Sequence, residues 1–398
     1  VNASGTTPAL PPLRILQLNS MLTGGGTDDQ CVKLALGLRQ LDQQVWIAGP
    51  DGREFSKAIR TLGLPFDPTP PEGPLKLRFI YRAAKSIRRE RIQILHGHHG
   101  RDIWPTILAA KLSGVKPKII LSRHLAKSPG SGFSREFMLG QCDAIVAVSH
   151  FVEKVLREGV YEPGSPEAER RSRPPVKGDH GKIHVIYGGI DTERFRPFDA
   201  VAQRAELGLK PGDFAFAVAG GYHLPRGKGQ REFLAAAARI HEQSPNARFL
   251  IIGRGNMADL LNLDIARLGL EGKAWLTPYS ANMPKVMNAI DCLVHPQIGT
   301  EAFGLVVCEA HACGKPVIAA ALDGIPEAFA TGGYGQLVVP ESVEQLADAM
   351  RTWAGQPPAS PTTQAALHKR IAGEYSLLAF GGRMLQLYRR LAPPVPEA

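Results

Sequence analysis

Short aliphatic runs separated by helix-period segments recur along the first half of this chain, stop, and start again. That doubled rhythm limits the fold more than any other feature. The first series is Arg14–Asn19, Gln44–Ala48, Ile92–His96, Lys118–Ser122 and Ala144–Val148, and between its first two members Cys31–Leu41 repeats apolar residues at helical spacing. The second series is Ala215–Ala219, Arg248–Ile252, Lys273–Thr277, Cys292–His295 and Pro316–Ala319, with helices expected at Arg231–His241 and Leu305–Cys313. Alternation of this kind builds a parallel sheet covered on both faces. A chain of 398 residues also exceeds the roughly 250 to 300 at which one core stops growing. Two α/β domains are therefore expected.

The expected division is a disordered tail at 1–12, a Rossmann-like domain at 13–196, a second at 197–375, and a C-terminal helix and tail at 376–398. That helix, Leu377–Leu391, is expected to pack back on the first domain ahead of a disordered Pro-rich end. Residues 158–182, rich in Pro, Gly and charge, read as a mobile basic insertion. Two facing doubly wound domains would set the carboxyl ends of both sheets along one cleft, where ligands of such sheets bind. Function is to be sought at strand ends.

The composition narrows the setting. The five cysteines include no CxxC pair, which argues against a disulfide framework or zinc ribbon and for a reducing cytoplasm. No leader-like segment opens the sequence and no run approaches 18 apolar residues, so neither secretion nor a membrane span is expected. Net charge is +10, and residues 1–196 hold 29 Lys/Arg against 19 Asp/Glu while the rest hold 18 against 18. The basic half is either a solubilising surface or a match for an anionic acceptor or the inner face of an anionic membrane. No nucleic-acid partner is expected.

The most informative segment runs from Glu301 to Ala319. Strand Cys292–His295 leads into a loop holding Glu301, and a helix starts near Gly304, so free main-chain N–H groups and the positive end of the helix dipole gather there. A diphosphate suits that position, Glu309 could accept from a ribose diol, and Glu301 could reach a sugar. Glu301 and Glu309, eight apart around Phe303-Gly304-Leu305 and followed by Gly314-Lys-Pro-Val-Ile, resemble the E-x7-E region of family 4 retaining glycosyltransferases of the GT-B fold. Val185–Pro197 is similar to that family's interdomain segment, and the resemblance extends from about Arg14 to Leu391. It implies two facing Rossmann-like domains, a nucleotide-diphosphate sugar of the UDP or GDP type as co-substrate without a further cofactor, and transfer with retention of configuration.

The same resemblance implies roles elsewhere. Gly220–Gly229 is similar to the family loop in which an Arg and a Lys hold the donor phosphates: Lys228 and Gly229 align, His223 stands where the Arg would be, and Arg226 is placed to replace it. Gly25 and Gly26 match a glycine loop of the first domain, and Gly253 allows close approach to the nucleotide. His124 matches a histidine that contacts donor sugar and phosphate. Arg101 and His98 are expected to face the acceptor. Catalysis is thus assigned to Glu301, His124 and Lys228, and donor binding to Gly25, Gly26, His223, Arg226, Lys228, Gly253, Phe303, Gly304, Leu305 and Glu309.

Two rivals come from other classes. A catalytically silent nucleotide-sugar-binding protein would keep the fold and lose turnover. A metal hydrolase would use His96 and His98, a His-x-His at a strand end. Cys308, His311 and Cys313 do not share a helix face, and no Asp-x-Asp occurs, so no metal site is expected. The expected setting is cytoplasmic glycan synthesis, of lipopolysaccharide, capsule or exopolysaccharide type, with a glycan or lipid-linked acceptor.

Overall fold

The computed structural model describes residues 10–52, 54–69, 76–160, 174–277, 280 and 282–392. The first residues of the expected N-terminal tail, most of the basic insertion and the Pro-rich end lie outside them. The chain forms two units. One runs to Val148, resumes over Val152–Gly189 and takes in the C-terminal segment from Leu377; the other is Ser149–Phe151 with Ile190–Ser376. The passage between units falls at Gly189 and Ile190, before the expected Pro197, because Ile190 bridges in parallel to Ser376 and so belongs to the second unit.

The first unit holds β1 (Arg14–Leu18), β2 (Gln44–Pro50), β3 (Phe66–Thr69), β4 (Ile94–Gly97), β5 (Lys118–Arg123), β6 (Ala144–Ala147) and β7 (Ile183–Val185). They form one parallel sheet in the order β3-β2-β1-β4-β5-β6-β7. The second unit holds β8 (Phe214–Ala219), β9 (Ala247–Ile252), β10 (Ala274–Thr277), β11 (Cys292–His295), β12 (Val317–Ala320) and β13 (Gly335–Val338), also parallel, in the order β10-β9-β8-β11-β12-β13. Both orders reverse once, at β1/β4 and at β8/β11. Such a reversal splays the loops on its two sides apart and leaves a crevice at the carboxyl edge. Both units are Rossmann-like, and their pairing in one chain is the GT-B fold.

Each unit has its own apolar core. In the second, Phe216, Phe233 and Phe249 are fully buried, with Leu261 and Met350 in the same cluster. In the first, Ile15, Leu34, Leu38 and Ile47 pack with Phe380, Met384 and Tyr388 of the helix Leu377–Leu391. That helix lies against Gly26–Arg39 so closely that a Cβ on Gly37 would stand 2.1 Å from the Leu377 carbonyl oxygen, and one on Gly381 would stand 2.6 Å from the Gly37 carbonyl carbon. Two glycines make this crossing possible.

Candidate active site

In the second unit, Lys228 and Glu301, both expected to serve the donor, meet at the β8/β11 switch point. The loop after β8 brings Lys228 to Glu301, which follows β11, and Lys228 Nζ donates to Glu301 Oε2 at 2.9 Å. Burial works against the charge of Glu301, but the Lys228 ammonium leads the interactions that outweigh it and hold the carboxyl below the ordinary glutamate value. The loop is pinned from β12: Glu301 N donates to Asp323 at 3.2 Å, and Gly324 N donates to the Glu301 carbonyl at 3.2 Å. Ser149 Oγ donates to the Ala302 carbonyl at 2.6 Å. Gly304 then takes φ +96°, a left-handed value that glycine adopts without strain, and caps the helix Leu305–Ala312. Its Cα region lies beside Glu301, since a Cβ there would stand 3.9 Å from Glu301 Cγ. A cation, a carboxylate and the N–H groups of a helix N-terminus therefore share one edge, a set of groups suited to a diphosphate with an attached polyol.

Glu309 is half-buried on that helix, and Leu305 is also partly accessible. Phe303 is not available as a side chain: it is 3% exposed and meets Tyr375 edge to face, so only its main chain can serve a ligand. Arg226, expected to join Lys228, instead lies 3.6 Å from Glu341 in an exposed pair, and His223 is exposed. Gly253 is explained by packing. Its Cβ would stand 2.1 Å from the Gly220 carbonyl oxygen, so the ends of β8 and β9 demand glycine there whatever binds.

Two side chains at this edge carry no sequence motif. His295 ends β11 at 2% exposure with Nε2 unpartnered, and burial pushes its pKa down to about 4. Gln297 is 3% exposed with Oε1 unpartnered. A polar residue among apolar neighbours just before the Glu301 loop was the available signal.

In the first unit, Gly25 and Gly26 are exposed at the start of the helix Gly26–Arg39, with open space where a Cβ would stand. Asp28 behind them is structural, accepting from Asn19 at 2.9 Å, His99 at 2.8 Å and the Gly24 N–H at 3.0 Å. Arg101 is exposed. His98 does not face a ligand: it is 2% exposed and stacks on His96 at 4.4 Å between ring centroids. His96 in turn uses both ring nitrogens, on Tyr388 at 2.5 Å and Ser122 at 2.8 Å, which removes it from metal binding. No group of three or more His, Cys, Asp or Glu side chains forms a metal-holding cluster among the described residues.

His98 instead stacks beside His124, with ring centroids 5.6 Å apart. With its amide oriented to satisfy its neighbours, Gln17 donates to His98 Nε2 at 2.8 Å. His98 Nδ1 lies 3.3 Å from His124 Nε2. Burial pushes both rings toward neutrality, His124 to a pKa of about 3. Neutral His98 must then carry its proton on Nδ1 and donate it to His124, whose own proton is left on Nδ1. His124 is thereby fixed as a hydrogen-bond donor, half-buried at the carboxyl edge.

The family models agree with this division. "Glycosyltransferase Family 4" matches residues 24–163 and "Glycosyl transferases group 1" matches residues 202–368. A D-inositol 3-phosphate glycosyltransferase of Segniliparus rotundus is 37% identical over 40% of this chain, a match that spans only 36% of that relative. One from Mycobacterium leprae is 33% identical over 320 residues, 75% of this chain and 69% of the relative. Among solved structures, a Rickettsia africae glycosyltransferase superposes with a TM-score of 0.79 over 96% of this chain and all of that one, at 20% identity. Anabaena HepE in complex with UDP does so at 0.76 over 95% of this chain and 100% of that one, at 19% identity. With both halves matched in order and one relative paired across most of its length, the chain belongs to glycosyltransferase family 4, of the GT-B fold.

Proposed function

We propose that the chain transfers a glycosyl group from a nucleoside diphosphate sugar held by the second unit to a hydroxyl of an acceptor held by the first. The observation that carries this is the Lys228–Glu301 pair beside the N-terminus of Leu305–Ala312 at the β8/β11 switch point. The diphosphate lies against those helix N–H groups and Lys228, Glu309 takes the ribose diol, and Glu301 takes the donor sugar. As the diphosphate leaves it gains negative charge, and Lys228 stabilises that charge more than it stabilises the bound donor. The leaving phosphate accepts the proton of the attacking hydroxyl on the same face, so configuration is retained. HepE's complex with UDP makes a uridine diphosphate sugar the first donor to try.

For the acceptor, the names of the Segniliparus and Mycobacterium relatives favour a small phosphorylated polyol over the glycan or lipid-linked acceptor of envelope polysaccharide synthesis. Attachment to an anionic membrane would use the helix Leu77–Arg89, which bears Arg78, Arg82, Lys85, Arg88 and Arg89 with no acidic side chain and exposes Leu77 and Tyr81. No helix among the described residues is long and apolar enough to cross a membrane.

Calorimetry with UDP and with UDP-sugars is the first measurement, followed by turnover with an acceptor panel and proton NMR of the product anomer. Binding followed by retained transfer that survives exhaustive EDTA is the expected result. Inversion, or activity recovered only with added magnesium, would overturn the mechanism; binding without turnover on any acceptor would make the protein a nucleotide-sugar binder. Vesicle sedimentation of the same preparations, anionic against neutral, tests the basic helix.

A further inference from the structure

We propose that the first unit carries a seat for a phosphate group, built on the guanidinium of Arg123 at the carboxyl edge of β4 and β5. Arg123 is the last residue of β5 and is 4% exposed. Its Nη2 donates to the Lys127 carbonyl at 2.7 Å, while its Nε has no partner among the described residues. Its Nη1 sits under the loop that follows β4, 2.9 Å from where a Cβ on Gly100 would stand. The guanidinium is thus lodged between the loops that leave two adjacent strands, next to the β1/β4 reversal where doubly wound sheets bind ligands.

A buried arginine cannot shed its charge near neutral pH, and burying such a charge without an anion is costly. Burial brings Arg123 down to about 10, and no carboxylate among the described residues contributes in its favour. The charge of Arg123 also helps to keep His124 neutral, after burial and His99 and against the carboxylate of Asp28. Arg101 and Lys127 are exposed on the two loops that flank the guanidinium. A hydrogen bond to one carbonyl employs one of five guanidinium donors; a phosphate oxygen pair matches the planar fork and supplies the missing charge. The surplus of cations favours a dianionic phosphate over a carboxylate.

This deepens the proposed function by giving the acceptor a phosphate, and it rests on that reading for the word acceptor. The test is calorimetry of inorganic phosphate and of glycerol 3-phosphate on wild type, Arg123→Gln, Arg123→Lys and Lys228→Ala, with UDP titrated into each. Phosphate affinity is expected to fall at least tenfold in Arg123→Gln, less in Arg123→Lys, and to persist in Lys228→Ala. Affinity that survives Arg123→Gln, or vanishes only in Lys228→Ala, overturns the seat. If Arg123→Gln fails to fold, the Arg123 Nε resonance of the wild type decides: a saturable shift on phosphate addition supports the seat, and no shift overturns it. Displacement of glycerol 3-phosphate by phosphatidic acid vesicles would mark the phosphate as lipid-borne, and no displacement as soluble. Absence of UDP binding in the wild type, with phosphate binding present, sinks the donor reading alone.

Discussion

Lys228 holds the Glu301 carboxylate charged against the pull of its own burial, which makes the two residues separable by pH. In Lys228→Ala the largest force lowering the Glu301 pKa disappears while burial remains. The carboxylate then takes up its proton at a higher pH, so the acidic limb of the activity profile is expected to move upward. Turnover is expected to fall about 10²- to 10³-fold with loss of a fixed charge at the leaving group. Glu309→Ala is expected to weaken UDP about tenfold or more, the scale of losing a hydrogen bond to a charged group. Glu301→Gln is expected to leave UDP affinity nearly intact and remove transfer. Calorimetry beside a pH–rate series checks all three, and equal loss of UDP affinity in the two glutamate variants would contradict the assignment.

At the scale of elements, the crossing of Gly26–Arg39 with Leu377–Leu391 ties the end of the chain into the first unit. Gly37→Ala would drive a methyl group into the Leu377 carbonyl, an overpacking that costs about 1–3 kcal/mol. Gly373→Ala, in the helix Pro361–Tyr375 with open space around it, is expected to stabilise by about 0.5–1 kcal/mol. Urea unfolding of both variants gives opposite signs if the crossing is as tight as described. The last helix, expected at about Leu377 to Leu391, spans Leu377–Leu391. The strands β3, β7 and β13 were not expected. They are short and lie at or near sheet edges, β3 even containing Pro68, and edge strands need neither unbroken apolar runs nor every N–H.

Across the whole molecule, four buried histidines set a common acid limit. His96, His98, His295 and His311 are at most 2% exposed, and burial is the leading cause that lowers each, to about 3 for His96 and about 4 for His295 and His311. A histidine whose folded pKa is depressed binds its proton first in the unfolded chain. Stability from each is therefore complete above the unfolded value near 6.5 and is lost as pH falls toward the folded value. Each costs on the order of 1.4 kcal/mol per pH unit in that window, so the four together outrun an ordinary stability of about 5–15 kcal/mol within a few units. Unfolding is expected between pH 6.5 and 4, and denaturant titrations at pH 7.5, 6 and 5 would show a steep loss. A stability flat over that range would mean that these rings are not held neutral.

The sequence by itself determined the doubled βα rhythm, hence two parallel sheets, and the motif that places Glu301 and Lys228, because strand and helix periods and loop glycines are local properties of the chain. Which side chains share a site was decided only by tertiary structure. The β8/β11 reversal brings residues 228 and 301 within hydrogen-bonding distance, while packing turns His98 inward to support His124, presses Phe303 against Tyr375 and assigns Gly253 to a backbone contact. Arg123 stood unmarked beside the motif histidine for the same reason. Burial, and the lack of a paired carboxylate among the described residues, are relations between distant segments, and no spacing along the chain records them.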